Sequence, residues 1–587
     1  MARWVVSVKK ADFKAVGKKY NISPVIARII RNRDIMEEAD IEKYLCGTLE
    51  DIYDGSLMKD MDKAVNTIKE KIHLEKRIRV IGDYDVDGIC AAYILKKGLA
   101  LCGADVDTVI PHRVKDGYGI NEQLIQDAYE DGIDTIITCD NGIAAYEQLK
   151  YAASLGITCI VTDHHEVPYE LEGDNRRYIL PPAAAIVDPK QEDCPYPYKK
   201  ICGGVVAWKM VLKLWEGINV TEEDRREVLE FAGIATVCDV MELLDENRII
   251  VKYALKSMQN SVNIGLRALI KVHDLNPAVL SSYHIGFILG PCFNATGRLD
   301  TAQRTLELLE CKNEREAVFQ AAQLKELNEN RKEMTEKGVE EAVRKIEEEN
   351  LGEDKVMVVY LPECHESLAG IIAGRIREKY YKPVFILTKS EDCVKGSGRS
   401  IDSYPMYDEL SKCKELFLKF GGHKLAAGLS LEEKNVELFR KVINEKCILA
   451  ENDMEEKIII DVPLPLSYVT DRFLKELELL EPFGTGNPKP VFAQAKMKFL
   501  SMRIMGKLKN MAKFTVEDEW GGRYSLILFR NLEEFLEDVE KKYGKSVLDS
   551  FINQNRNCGI EMNIIYYPSM NEYMGRQEIQ YVMQKWS

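Results

Sequence analysis

The stretch RIRVIGDYDVDG, Arg77 to Gly88, decides the fold and carries the first chemical signal in the chain. Its apolar run, Ile78 to Ile81, is typical of a short buried strand, and Gly88 is expected to release the chain into a helix over Ile89–Leu101. In an extended turn alternate side chains point the same way, so the aspartates after the strand would crowd one small volume. These are Asp83, Asp85 and Asp87. Such crowding indicates a divalent cation, and hard oxygen ligands suit Mg²⁺ or Mn²⁺; a solvated acidic turn is the alternative.

Three further apolar runs end in aspartate or histidine, the residues that can bind a metal ion. TCIVTDHHEVP, Thr158 to Pro168, ends a strand in Asp163, His164 and His165, although the chain has only 8 histidines. Imidazole suits transition metals such as Mn²⁺. DTIITCDNGI ends at Asp140, and GIATVCDVMELL ends at Asp239. The sequence therefore predicts one metal site assembled from distant positions.

Strands and helices alternate from about residue 75 to 190. We predict strands at 78–82, 106–110, 134–139, 158–162 and 184–188, with helices at 88–101, 121–131 and 144–155. This alternation favours a doubly wound parallel sheet, in which ligands collect outside the carboxyl ends of the strands. Asp85, Asp140 and His164 all fall at such ends. The loop after the second strand adds His112 and Arg113, and a mixed-charge loop and a substrate contact are equally good interpretations of it.

The motifs GDYDVDGI, TCDNGI, TDHH and TVCDVMEL, in this order, resemble the four phosphoesterase motifs of the DHH superfamily. Later segments narrow the resemblance to the RecJ single-strand-specific exonucleases, and it extends from about Asp51 to about Ala493. By resemblance, Asp85 and Asp87 bind separate ions of a pair of Mn²⁺ or Mg²⁺ ions, Asp140 bridges them, and His164 and Asp239 complete one site. The resemblance implies three further catalytic residues. Asp83 is expected to be another metal ligand or to support one, and Asp163 is expected to orient a histidine. His165 is expected to contact the phosphate or assist the leaving oxygen.

The resemblance also implies substrate contacts. GPCFNATGRLDTA, Gly290 to Ala302, is interpreted as a polar turn ahead of a helix, with Asn294 and Arg298 near the substrate phosphates; a structural role for Arg298 is the rival interpretation. Glycine-flanked polar clusters further on match the DHHA1 domain, where glycine lets backbone approach a ligand closely. The substrate residues expected there are Arg375, Ser397, Arg399, Gly422 and His423. Two departures from the family pattern are Val205 and Ser367, each at a position where glycine is usual.

The predicted organisation has a helical preface at 1–50, a DHH catalytic domain at 51–300, a connecting helix at 301–350, a second α/β lobe of DHHA1 type at 351–457 and an OB-type β-barrel at 458–587. Residues 301–350 contain no proline and are dense in charge, which is typical of a long solvated helix. Asn313 with Glu316 is expected to cap a restart within that helix.

Basic residues exceed acidic ones between Phe483 and Arg530, which reverses the charge of the whole chain. A groove for single-stranded nucleic acid needs such a local surplus on a barrel. The predicted groove residues are Lys496, Lys498, Arg503, Lys507, Lys509 and Lys513.

The composition of the chain excludes several classes of protein. A net charge of −15 argues against coating duplex DNA, because that affinity comes from neutralising phosphates. The 15 cysteines show no CxxC pair, which indicates reduced thiols and no zinc site, and no stretch predicts a signal peptide or a membrane span. We therefore expect a cytoplasmic protein, monomeric, that acts on single-stranded DNA without contacting a membrane; single-strand-binding protein and a helicase are the protein partners considered.

The predicted function is a 5′-to-3′ exonuclease of single-stranded DNA that releases 5′-mononucleotides in repair and recombination; the direction comes from the resemblance alone. One alternative is a DHH-family phosphodiesterase of short RNA or cyclic dinucleotides, against which the basic barrel counts. A second is a non-catalytic replication scaffold, against which the intact motifs count.

Overall fold

The computed structural model describes residues 3–113, 115–173, 175–506, 509–553, 558–573 and 576–587. These residues form two units. One is Leu49–Glu456, and the other joins Met1–Thr48 to Lys457–Ser587.

The first elements of the chain belong to the same unit as its last ones. They are β1 (Arg3–Val6), α1 (Phe13–Tyr20), α2 (Pro24–Asn32) and α3 (Glu38–Cys46). β1 pairs in parallel with β14 (Lys457–Ile460). Arg33 forms a buried ion pair with Asp461 at 2.7 Å. The N-terminal helices therefore pack on the C-terminal segment.

The Leu49–Glu456 unit begins with strands and helices in alternation, as the sequence predicted. They are α4 (Met61–His73), β2 (Ile78–Ile81), α5 (Val86–Leu101), β3 (Val106–Val109), α6 (Glu122–Glu130), β4 (Thr135–Cys139), α7 (Tyr146–Ser154), β5 (Thr158–Thr162), β6 (Tyr169–Glu172), β7 (Asn175–Tyr178) and β8 (Ala185–Val187). The order β3-β2-β4-β5-β8 forms one parallel sheet. Apolar side chains from its two faces enter separate buried clusters, one with α5 and the other with α6 and α7. The doubly wound sheet is therefore confirmed.

The start of α5 differs from the prediction. The helix begins at Val86, because the Asp85 side chain accepts the Gly88 N–H and acts as the N-cap. Asp87 therefore lies in the first helical turn. The expectation of an extended turn is therefore wrong; the donor atoms of Asp83 and Asp85 lie in one group, and that of Asp87 lies in another.

Helices follow the sheet. They are α8 (Gly203–Leu214), α9 (Glu222–Cys238), α10 (Asp245–Met258), α11 (Ile264–Val272), α12 (Ser282–His284), a π-helical turn at Ile285–Leu289, α13 (Gly290–Leu299), α14 (Gln303–Glu310) and α15 (Glu314–Glu348). The polar turn predicted around Asn294 and Arg298 is wrong, since both residues lie within α13. The predicted restart of the connecting helix is confirmed, because Asn313 caps α15.

The second lobe of this unit is a mixed five-stranded sheet with helices. Its elements are β9 (Met357–Tyr360), α16 (Ala369–Tyr380), β10 (Val384–Lys389), β11 (Val394–Arg399), α17 (Met406–Ser411), β12 (Phe417–Gly422), β13 (Ala426–Leu431) and α18 (Val436–Lys446). The strand order is β12-β13-β11-β10-β9. Ser397 and Arg399 lie on a strand of this sheet, which fixes where their side chains point.

The other unit ends in a closed barrel. After β14 come β15 (Val462–Pro463), α19 (Asp471–Glu478), β16 (Phe492–Met505), β17 (Met511–Glu517), β18 (Arg523–Leu528), α20 (Leu532–Tyr543), α21 (Lys545–Ile552), β19 (Ile560–Tyr573) and β20 (Arg576–Trp586). The order β16-β17-β18-β20-β19 closes on itself through a β16–β19 pairing. This is the predicted C-terminal β-barrel.

Two sequence expectations concern the whole chain. Over the described ranges, no helix combines the length and apolarity needed to cross a bilayer. All 15 cysteines are free thiols, and most of them are buried.

Candidate metal centre

The parallel sheet brings the predicted site residues to one edge. The chain turns in opposite directions after β2 and β4, so the crevice beyond these neighbouring strands is the switch point at which such folds bind ligands. Asp83 follows β2, Asp140 follows β4, and His164 follows β5. Asp239, which caps the end of α9, reaches the same place from the helices.

The β4 end is held in an unusual conformation. Asp140 has a φ of 60°, in the left-handed region that non-glycine residues seldom adopt. Its N–H donates to the carbonyl of Thr162 at 3.1 Å. The buried side chain of Asn141 donates to the carbonyls of Ile81 and Cys139 at 3.1 and 2.9 Å. These bonds connect three neighbouring strands, so the position of Asp140 is fixed by the sheet.

The predicted ligands form overlapping groups whose donor atoms all lie within 4.8 Å of one another. The groups are Asp83 with Asp85 and Asp140, Asp87 with His164 and Asp239, and Asp140 with His164 and His165. Asp140 is shared between a group of carboxylates and a group with imidazoles, which is the arrangement expected of a bridging ligand.

His164 lies at the centre of these groups. Its Nε2 atom is 3.0 Å from Oδ1 of Asp140 and 3.6 Å from Oδ2 of both Asp87 and Asp239. Several of these buried polar atoms have no hydrogen-bond partner among the described residues. They are Oδ1 of Asp83, Oδ1 of Asp140, both ring nitrogens of His164 and Oδ2 of Asp239. Because burying polar atoms without partners is costly, a donor set of carboxylate oxygens and imidazole fits bound divalent cations.

The carboxylate of Asp87 is held in place by backbone N–H groups. Its two oxygens accept the N–H groups of Gly203 and Gly204, each at 2.7 Å, at the start of α8. A Cβ on Gly203 would lie 2.7 Å from Cβ of Asp140, and one on Gly204 would lie 2.6 Å from Cβ of Ala235. The glycine pair therefore serves close packing and also orients a predicted ligand.

Asp163 supports the two histidines. Its Oδ1 accepts the N–H of His164 at 2.7 Å and contacts Nδ1 of His165 at 2.7 Å, while its Oδ2 accepts the N–H of Ile143 at 2.9 Å. A carboxylate in this position fixes the orientation of an imidazole ring.

Charge in this pocket is poorly compensated by the protein. Burial, with the charge of Asp85, raises the pKa of Asp83 to about 8. Burial, with the charges of Asp87 and Asp85, raises the pKa of Asp239 to about 9. Burial also lowers the pKa of His164. Such shifts mark a site that needs positive charge from outside the protein.

His165 differs from His164. Burial opposes its positive charge, but the hydrogen bond to Asp163 and the nearby carboxylates together raise the pKa of His165 to about 9. The surrounding carboxylates therefore favour the protonated form of His165, and 43% of its side chain is exposed.

A cavity of about 500 Å³ lies within the same unit, lined by residues of both of its lobes. Three arginines line it, Arg113, Arg298 and Arg399, and in the part of the chain described here none of them has a carboxylate within ion-pair distance. The acidic residue of the lining, Glu366, is paired with Lys395 at 2.9 Å.

Two of the arginines are held by neighbouring groups. Arg298 donates to the carbonyl of Ser367 at 2.6 Å, and Arg113 lies over the Tyr84 ring at 4.7 Å. Burial and neighbouring arginines lower the pKa of Arg298 to about 10. Guanidinium groups without counter-ions suit a phosphate.

Tyr118 connects the cavity to the metal centre. It lines the cavity, and its hydroxyl donates to the carbonyl of Asp140 at 3.0 Å. The same oxygen is 3.3 Å from Nε2 of His165. A group bound to the arginines would therefore lie beside the metal ligands.

The structure brings together only part of the predicted substrate set. Arg298, Ser397 and Arg399 line the cavity. The residues outside its lining are Asn294, Arg375, Gly422 and His423. Arg375 is 66% exposed and faces Glu378 at 3.9 Å, because it lies on the outer side of α16. Of the two loop residues singled out in the sequence, Arg113 lines the cavity and His112 lies outside its lining. Sequence reasoning missed Tyr84, Tyr118 and Lys395. The available signal was the position of two of them, because Tyr84 lies within GDYDVDGI and Tyr118 lies within the segment KDGYGI.

The residues predicted for the groove on the barrel have different strand neighbours. Arg503 and Lys513 are cross-strand neighbours on the exposed face of β16 and β17. Lys498 is opposed by Glu517 on one side and Glu561 on the other. Lys496 and Lys509 are exposed, and Lys507 lies outside the described residues.

Comparison with known families covers most of the chain. The DHH family N-terminal domain matches residues 77–236, the DHHA1 domain matches residues 353–448, and the RecJ OB domain matches residues 460–585.

Individual relatives agree with these matches. The single-stranded-DNA-specific exonuclease RecJ of Bacillus subtilis is 33% identical over 88% of this chain, which spans 64% of that relative. The protein of the same name from Salmonella typhimurium is 32% identical, with 86% of this chain and 88% of the relative covered. The crystal structure of Thermus thermophilus RecJ in complex with Mn²⁺ superposes with a TM-score of 0.79 at 25% identity, covering 100% of this chain and 79% of the other.

Proposed function

Because this chain belongs to the RecJ family of single-stranded-DNA-specific exonucleases, we propose that it removes 5′-mononucleotides from the 5′ end of single-stranded DNA by metal-dependent hydrolysis. The observation that carries the proposal is the arginine cavity, free of counter-ions among the described residues, that adjoins the cluster of unpartnered ligands through Tyr118. A terminal phosphate fits the cavity, and the next phosphodiester would then lie at the cluster.

The ligand set fits two Mn²⁺ or Mg²⁺ ions. Asp83 and Asp85 would hold one ion, and Asp87, His164 and Asp239 the other, with Asp140 shared. Bound ions of this kind lower the pKa of an attacking water and neutralise charge on the phosphodiester.

The remaining groups orient the reactants. His165, whose Nδ1 faces Asp163, would donate from Nε2, the nitrogen 3.3 Å from the Tyr118 hydroxyl, to a phosphate oxygen or to the leaving oxygen. Arg298 and Arg399 would hold the terminal phosphate and set which bond reaches the cluster. The barrel face around Arg503 and Lys513 would bind the strand further along.

The decisive experiment uses single-stranded and duplex oligonucleotides labelled at either end, digested with Mn²⁺ or Mg²⁺. We expect early release of labelled mononucleotide from a 5′-labelled single strand, slow release from a 3′-labelled one, and little from duplex. Release of internal fragments, or equal rates from both ends, would refute the proposal.

The two alternatives have less support. A phosphodiesterase of short RNA or cyclic dinucleotides needs no basic barrel, and the matched relatives are single-strand exonucleases. A non-catalytic scaffold is at odds with a complete ligand set. Comparing the hydrolysis of a dinucleotide with that of a long strand separates the first alternative from the exonuclease.

Further parts of the proposal concern the setting of the reaction. We propose a cytoplasmic monomer active in repair and recombination, supplied with single strands by a helicase and working with single-strand-binding protein. We also propose the division into a preface at 1–50, a catalytic domain at 51–300, a connecting helix at 301–350, a DHHA1 domain at 351–457 and a nucleic-acid-binding domain at 458–587.

A further inference from the structure

The loop after β8 brings a lysine to the edge of the metal centre. β5 and β8 are parallel, and their register pairs Thr162 with Val187. The N–H of Asp163 donates to the carbonyl of Val187 at 3.0 Å, so the two chains stay side by side past the ends of the strands. The chain turns at residues 189–190, and from this turn the Lys190 side chain reaches the loop that follows β5.

The backbone of this loop is held firmly. Asp188 is fully buried, and its Oδ1 accepts the N–H of Lys190 at 2.7 Å. The side chain of Gln191, also buried, donates to the carbonyl of Ile186 at 2.8 Å. The position of Lys190 along the loop is therefore fixed.

Among the described residues, the ammonium group of Lys190 has one ion-pair partner, and this partner is weak. Its Nζ lies 3.2 Å from Oε1 of Glu166, whose side chain is 76% exposed. An ion pair with an exposed carboxylate contributes little to stability, so exchanging it for a phosphate costs little. Glu166 directly follows His165 in the chain, so this contact places the ammonium beside the loop that carries the histidines of the metal centre.

We infer that Lys190 leaves Glu166 when a strand binds and contacts a nonbridging oxygen of the phosphodiester at the metal centre. The inference rests on the proposed exonuclease function. The cavity arginines come from the loop after β3, from α13 and from β11, so Lys190 would add a cation from a separate loop. A lysine acts here as a mobile point charge, which suits a phosphate whose oxygens change position during the reaction.

The test compares four full-length variants. They are Lys190→Met, Lys190→Arg, Glu166→Gln and Lys59→Met. Lys59 is the matched control, because it pairs with Asp193 of the same loop at 2.7 Å but approaches from the start of α4. On a single-stranded oligonucleotide with Mn²⁺, we expect Lys190→Met to lower kcat/KM by about 10- to 100-fold, the range for a charge-assisted hydrogen bond. Lys190→Arg should keep most activity, and Glu166→Gln and Lys59→Met should stay close to wild type.

A second readout is the dependence of strand binding on salt. Removing one cation that neutralises a phosphate should reduce the slope of log K against log [salt] by about 0.7 for a single strand. Equal losses in Lys190→Met and Glu166→Gln would mean that the pair merely holds the loop, and would overturn the inference. Wild-type activity in Lys190→Met would overturn it while leaving the exonuclease function standing. An inactive wild-type protein would overturn both.

Discussion

Nε2 of His164 lies 3.0 Å from Oδ1 of Asp140, and neither atom has a hydrogen-bond partner in the described part of the chain. The two residues follow neighbouring strands, so the sheet holds their donor atoms together before any ion is bound. We expect Asp140→Asn to lose at least about 10³-fold in kcat/KM, because it removes a shared negative ligand. Asparagine tolerates the left-handed backbone at this position, so the variant should still fold. Circular dichroism and oligonucleotide digestion check the two expectations, and near-wild-type activity would remove Asp140 from the site.

The glycines that start α8 offer a second prediction. A Cβ on Gly204 would lie 2.6 Å from Cβ of Ala235 and 3.1 Å from Oδ1 of Asp87. We expect Gly204→Ala to lower the free energy of unfolding by about 1–3 kcal/mol through overpacking, and to reduce Mn²⁺ affinity by displacing Asp87. Chemical denaturation and calorimetric Mn²⁺ titration are the measurements. Gly374→Ala is the control, because a Cβ there meets nothing within 4 Å in the helix α16, and it should stabilise by about 0.5–1 kcal/mol.

Glu230 predicts a pH dependence of stability. It is buried on α9, where its oxygens accept the hydroxyls of Ser257 and Ser261 at 2.5 Å each, and burial raises the pKa of Glu230 from 4.5 to about 7. The folded state keeps the proton that the unfolded state releases near pH 4.5. The stabilisation is therefore present below about pH 4.5 and lost as the pH rises through about 7.

The Glu230→Gln variant removes this dependence. Between pH 5 and 8, the free energy of unfolding of the wild type should fall relative to the variant by up to about 3 kcal/mol. Denaturant titrations at each pH measure the difference. Glu336→Gln, on the exposed side of α15, is the control and should show no such trend. Parallel curves for wild type and Glu230→Gln would contradict the prediction.

The sequence was sufficient to predict the parallel sheet, because its strands are short apolar runs with polar residues directly after them. Continuous burial on both faces of β2, β4 and β5 requires such runs, and the carboxyl ends of parallel strands must share one edge. The positions of the predicted ligands Asp140 and His164 followed from this rule.

Other features depended on contacts that no local pattern reveals. The capping of α5 by Asp85 was missed because all three aspartates were interpreted as metal ligands. β11 resembles a loop in composition, since its glycines and serine have low strand propensity, and it is a strand because it lies between β10 and β13. The cavity arginines are far apart in the sequence, and only the approach of the two lobes of Leu49–Glu456 brings them together.

The barrel predicts a measurable electrostatic effect. Arg503 and Lys513 are exposed cross-strand neighbours, so they can bind successive phosphates. We expect the double variant Arg503→Met with Lys513→Met to reduce the salt slope of strand binding by about 0.7 for each phosphate that is no longer neutralised. Fluorescence anisotropy with a labelled oligonucleotide measures it. Lys541→Met, on α20, is the control, and an unchanged slope in the double variant would exclude this face. Point variants are preferable to deleting residues 460–587, because deletion would remove Asp461 and leave the buried Arg33 without its ion-pair partner.

The cavity predicts which end group the protein recognises. Arg399 lines it without a carboxylate partner among the described residues, whereas Arg375 lies on the exposed side of α16. We expect Arg399→Met to raise KM by about 10- to 100-fold for a strand with a 5′-phosphate, since the variant cannot form a charge-assisted hydrogen bond to that phosphate. The same variant should change KM little for a strand with a 5′-hydroxyl, because that strand has no terminal phosphate for Arg399 to bind. Arg375→Met should leave KM for both strands close to wild type. Steady-state digestion of the two oligonucleotides by the wild type and the two variants measures these KM values. If Arg399→Met raises KM equally for both strands, the cavity does not bind the terminal phosphate. If Arg375→Met reproduces the effect of Arg399→Met, the phosphate is bound on α16 instead.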